Sequence, residues 1–121
     1  MRDNKMKLLT LSKEIREGKI GDDQLVECLD IQHNQVQLNA MSQIAKKKLC
    51  NEKIIEKLKH ISQFRDPKVN KLFGIDTLGH YSIAVLRVLN TSESIKQYEL
   101  LMSELDDFDK GIVERITEGI S

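Results

Sequence analysis

An all-α fold, a short stack of antiparallel helix pairs with about seven or eight helices, is what this sequence predicts from its apolar spacing. Three observations carry that expectation. Apolar residues recur every three or four positions along most of the chain, Pro occurs once and Gly six times in 121 residues, and two segments 33 residues apart repeat the same order of features. The chain reads as one domain, with residues 1–21 as an N-terminal cap helix, 22–105 as helix pairs and 106–121 as a C-terminal cap helix.

Residues 4–17 carry Met6, Leu8, Leu9, Leu11 and Ile15 and stop at Gly18. After Gly21, Asp22 and Asp23 suit the positive end of a short helix that turns Leu25, Val26, Cys28 and Leu29 inward. His33 and Asn34 interrupt it, and Asn34 is the expected cap of a helix carrying Val36, Leu38, Ala40, Met41, Ile44, Ala45 and Leu49. That helix ends in Lys46-Lys47-Lys48, where cations favour the negative terminus. Asn51 caps the next, with Ile54, Ile55, Leu58 and Ile61 on one face.

The stretch Asp66 to Gly79 reads as the helix around which the rest is organised. Asp66 can accept from free first-turn amides, and Pro67 has no amide to leave unsatisfied. Val69, Leu72, Phe73, Ile75 and Leu78 make a wide apolar stripe. Gly74 predicts close approach of a neighbouring backbone, and Gly79 a left-handed ending. The apolar run Ile83–Leu89 is buried whichever face it shows, and its β-branched residues make it the one place where a strand competes. A Thr91–Ser94 or Ser92 cap opens a helix with Ile95, Tyr98, Leu101, Met102 and Leu105. The last helix, with Asp109 as its expected cap, carries Ile112, Val113, Ile116 and Ile120.

A 33-residue shift lays Leu25 on Leu58, Cys28 on Ile61, Asn34 on Pro67 and Val36 on Val69. With Asp66-Pro67-Lys68-Val69 and Gly74, this pattern resembles the HEAT-type helical repeats, whose second helix opens with an Asp-Pro-x-Val turn followed by a small residue. His33-Asn34-Gln35-Val36 with Ala40 is a partial second copy. The resemblance covers residues 22–105 loosely and 54–79 clearly. It implies a right-handed α-α superhelix that works by offering a surface, as adaptors, DNA-repair proteins and small bacterial immunity proteins do.

Charge points the same way. Basic and acidic residues number 19 each, which argues against a dedicated nucleic-acid binder. From Thr91 onward only Lys96, Lys110 and Arg115 oppose eight acidic residues. Glu99, Glu104, Asp106, Asp107 and Asp109 are the candidate partner-binding residues, an acidic patch that would steer a basic protein.

No catalytic, cofactor or metal motif stands out. His33, His60 and His80 lack a Cys or carboxylate at ligand spacing, and no glycine-rich phosphate loop is present. Cys28 reads as a core thiol, and Cys50, beside three lysines, as the more exposed one. Asp76 is expected to hold a neighbouring turn through backbone amides, and His80 with Tyr81 to close a core edge. No apolar run spans a membrane and no signal-peptide core opens the chain, so a cytoplasmic location with reduced thiols is expected. The expected function is non-catalytic binding of another protein, most specifically an immunity-type protein that neutralises a cognate toxin. The alternatives are a nucleic-acid-binding repeat, using Lys46–Lys48 with Lys53, Lys57 and Lys59, or a regulatory subunit. The protein is expected to be a monomer or a weak homodimer.

Overall fold

In the computed structural model residues 2–121 are described, with side chains from Lys7 onward. Met6 therefore lies, as a side chain, outside the described residues. Seven helices are present among them: α1 (Arg2–Arg16), α2 (Asp22–Cys28), α3 (Asn34–Lys47), α4 (Glu52–Ile61), α5 (Leu78–Leu89), α6 (Ser92–Ser103) and α7 (Asp107–Ile120). The fold is all-α, and its helices pack as a stack: α1 and α2 lie on α3, while α5 touches α3, α4, α6 and α7. Among the described residues no strand forms, and 83–88 lie within α5.

Local chemistry starts most of these helices. Asn51, Thr91 and Asp106 each accept a hydrogen bond from the amide three residues on, at 2.9, 3.0 and 2.8 Å, which satisfies a first-turn donor that has no helical partner. Thr91 and Ser94 complete a reciprocal capping box. Two expected caps are corrected. His33, through Nδ1, caps α3, while Asn34 is its first residue and donates instead to the Val69 carbonyl at 2.7 Å. Asp106, not Asp109, caps α7, because the chain turns into the helix one residue after Leu105.

The central helix is α5, not residues 66–79. Of its twelve residues only Tyr81 and Arg87 escape full burial. Leu78, Val85, Leu86 and Leu89 pack into the core built by α1–α4. Ile83 and Ala84 meet Leu105, Ile112, Val113 and Ile116 in a second cluster. Each fully buried aliphatic side chain contributes about 1.5–3 kcal/mol, so the run Ile83–Leu89 captures the middle of the stack. A helix at 66–79 has no site left to bury its stripe.

Residues 66–77 instead form a tight loop. The Asp66 carboxylate accepts from the Lys68 amide at 2.8 Å, a local turn rather than a helix cap. The Asp76 amide donates to Phe73 at 2.7 Å, Leu72 to Asp76 at 2.8 Å and Leu78 to Asn70 at 2.9 Å, so backbone groups pair across a small hairpin. Three residues of the stripe face out, Val69 at 65%, Phe73 at 73% and Ile75 at 50% exposure, while Leu72 packs on the core edge and Leu78 is buried as the first residue of α5. The 33-residue correspondence therefore holds for Leu25/Leu58 and Cys28/Ile61, all buried, and fails for Val36/Val69.

The two glycines exchange their expected roles. Gly74, at φ +54°, is the left-handed residue and sits in open space. Gly79 is the close approach: a Cβ there would lie 2.6 Å from the Ser62 carbonyl oxygen and 2.9 Å from that of Phe64. Its amide donates to Phe64 at 2.8 Å, which pins together the two ends of the loop.

Candidate functional site

The five acidic candidates have three different jobs. Glu99 and Glu104 are exposed on and just after α6. Asp106 is exposed but serves as the α7 cap, and Asp107 is exposed in the first turn of that helix. None of these four forms an ion pair among the described residues. Asp109 is withdrawn from the patch, because its Oδ1 lies 2.9 Å from Nε2 of buried His80. One candidate thus turns inward and four face solvent.

A groove of about 520 Å³ between α4 and α6 adds residues that the charge pattern alone did not single out. Cys50 and Ile55 line its floor, with Leu100 half exposed beside them, and Glu52, Glu56 and Glu93 stand around it against one cation, Lys96. Glu93, Gln97, Leu100 and Glu104 are spaced i, i+4, i+7 and i+11, so the line of α6 residues that borders the groove runs on to Glu104. That spacing was present in the sequence as a mixed stripe of Glu93, Gln97, Leu100 and Glu104. What was missing was the neighbour, since only packing brings α4 alongside α6.

A second arrangement joins the loop to α7. The Thr77 amide donates to Nδ1 of His80 at 3.1 Å, the Thr77 hydroxyl lies 2.8 Å from the same nitrogen, and the His80 amide points back to that hydroxyl. Nδ1 therefore accepts, and the hydrogen is on Nε2, which donates to Asp109. Hydroxyl, imidazole and carboxylate stand in a row, as in nucleophilic sites. Here Thr77 is 1% and His80 3% exposed, and Nδ1 is already occupied by an amide hydrogen. The row acts as a capping box clamped to the neighbouring helix. Asp109 lies 29 positions from His80, too far for residue spacing in the sequence to pair them.

Beside this clamp, a cavity of about 390 Å³ is lined by Arg65, Lys71, Ile75 and Phe108 as well as His80 and Asp109. Phe108 is 62% exposed. Asp76, expected to hold a turn through backbone amides, instead pairs its carboxylate with Arg115 of α7.

The remaining candidates fall into place singly. Cys28 is buried, and desolvation, with Glu27 adding to it, raises its thiol pKa above the ordinary value, which suppresses the reactive thiolate. Cys50 is half-buried, its sulfur 3.5 Å from the Thr91 hydroxyl. Among the basic residues, Lys47 pairs with Asp22, Lys57 with Asp30, and Lys48 donates to the Val88 carbonyl. Among the described residues no group of three His, Cys, Asp or Glu side chains is placed to hold a metal ion, and no helix is long and apolar enough to cross a membrane.

Set against known protein families, curated proteins and solved structures, the chain matches none of them.

Proposed function

We propose that the protein is a non-catalytic protein-binding module that holds a basic segment of a partner along the groove between α4 and α6. One observation carries this reading: an apolar floor with Leu100 half exposed, bordered by Glu52, Glu56 and Glu93 and continued by Glu104, none of them neutralised by an ion pair among the described residues. Apolar contact would supply affinity, and unpaired carboxylates would select and steer the partner. Glu99 on α6 and Asp107 in the first turn of α7 are exposed carboxylates outside the groove. Three of the six lysines considered for nucleic acid are engaged within the chain, which favours a protein partner. In its most specific form the partner is a toxin with a cationic cleft, and the chain is an immunity-type protein that covers that cleft as a HEAT-like stack would.

Titration with a Lys/Leu-rich amphipathic peptide tests the reading. The expected result is amide chemical-shift changes on the facing sides of α4 and α6 that weaken with added salt and with the pair Glu93→Lys, Glu104→Lys. Leu100→Ser should weaken binding without changing the salt dependence. Selective binding of an acidic peptide, or binding indifferent to those substitutions, would overturn the proposal. A low-salt gel shift with duplex DNA should show no retardation.

A further inference from the structure

We infer that the cavity between the 66–77 loop and the first turn of α7 binds a small amphipathic organic anion, a carboxylate whose head meets Arg65 and Lys71 and whose apolar body lies on Ile75 and Phe108. These four side chains line one cavity of about 390 Å³, a size in the range of small-molecule sites. Ile75 and Phe108 are 50% and 62% exposed, so the chain itself leaves this apolar wall uncovered. The groove between α4 and α6 shares no lining residue with the cavity, which makes anion binding and partner binding separable.

Unmet charge identifies the head group. Arg65 and Lys71 form no ion pair among the described residues. The carboxylates of the loop and of the cavity are all engaged: Asp66 accepts from the Lys68 amide, Asp76 pairs with Arg115, and Asp109 accepts from buried His80. Two cations against the single carboxylate of Asp109 leave the lining net positive, and a ligand carboxylate neutralises it. Both cations sit on fixed backbone. The Arg65 Nη1 donates to the Ser62 carbonyl at 2.5 Å, and a Cβ at Gly79 would lie 2.7 Å from the Arg65 Cγ, so the missing side chain lets the arginine stem cross the start of α5. The rest of its planar fork can grip a carboxylate with two hydrogen bonds. An antiparallel bridge sets Lys71 opposite Thr77, so little backbone ordering is left to occur on binding. The first-turn amides of α5 take no part, because those of Leu78, Gly79 and His80 already donate to Asn70, Phe64 and Thr77.

Amide chemical-shift titration of the full chain with phenylacetate tests the site. The expected result is saturable binding with a dissociation constant on the order of 1 mM for a ligand of this size, with shifts concentrated in residues 66–77 and the first turn of α7. Arg65→Met should weaken it about tenfold. Lys71→Met and Phe108→Ala alter exposed side chains and should each weaken it at least about threefold while leaving thermal unfolding unchanged. Added salt should weaken it further. Acetate, which lacks the apolar body, should bind at least about tenfold more weakly, and phenethylamine, with an ammonium in place of the carboxylate, should not bind. Leu100→Ser, in the groove, should leave phenylacetate binding unchanged. Absence of saturable shifts at about ten times the expected dissociation constant would overturn the inference. So would preference for phenethylamine, acetate binding as tightly as phenylacetate, or indifference to Lys71→Met and Phe108→Ala.

Discussion

Residues 33–47 and 66–80 look alike in sequence and fold differently. Both begin with a polar turn and place Val at the same offset, yet Val36 is fully buried in α3 and Val69 is 65% exposed on a loop. After Val36 the chain offers Ala40, Met41, Ile44 and Ala45, good helix formers with a face that α1, α2 and α5 cover. After Val69 it offers Asn70, Gly74 and Thr77, and Thr77 caps a better helix immediately downstream. A cap motif proposes a helix. Competition for the core decides whether it is kept.

The sharpest test of that contrast puts a charge at each valine. Val36→Asp should cost at least about 3 kcal/mol through an unpaired buried carboxylate. Val69→Asp should stay within about 0.5 kcal/mol, as surface changes do. Urea unfolding of the two variants reads both, and equal effects would dissolve the distinction.

The glycines supply the next test. Gly79→Ala places a methyl group against the Ser62 and Phe64 carbonyls and should destabilise by about 2 kcal/mol, although Ala ordinarily favours a helix by about 1 kcal/mol. Gly74→Ala should cost about 1 kcal/mol from its positive φ alone. Thermal unfolding that ranks them in the opposite order would break the assignment of close approach to Gly79.

A smaller effect probes the clamp under the loop. Asp109→Ala leaves the buried Nε2–H of His80 without its acceptor and should lower hydrogen-exchange protection of the Leu72 and Leu78 amides about tenfold. Amides of α3 should be unaffected. Uniform loss across both regions would show that the clamp holds the whole stack rather than the loop.

The smallest effect is alkaline. Burial raises the Tyr81 phenol above its ordinary 10.0, more than its hydrogen bond with Ser42 lowers it. The unfolded chain then ionises first, so stability is complete below about pH 10 and falls as pH rises through the folded value. Tyr81→Phe should lessen that decline in urea midpoints measured across the range, while Tyr98, whose phenol burial also raises, and Cys28, whose thiol is likewise raised, leave a shallower one starting nearer pH 9.

Helices α1–α4, α6 and α7 were legible because each contains its own evidence: a periodic apolar face and, for α4 and α6, a local cap. Cys28 as a core residue was legible for the same reason. The acidic surface was visible as composition, but the inward turn of Asp109 was not, because His80 lies 29 positions away and the two meet only when α5 packs on α7.

By itself, then, the sequence determined an all-α chain, the caps of α4 and α6 and an excess of carboxylates after Thr91, all properties set within a few neighbouring residues. Tertiary structure alone decided that Ile83–Leu89 takes the centre, that Asp66–Thr77 becomes a loop with Val69, Phe73 and Ile75 outward, and that α4 and α6 leave a groove between them. Those outcomes depend on which segment fills a limited interior best, and that comparison exists only once all the helices are present together.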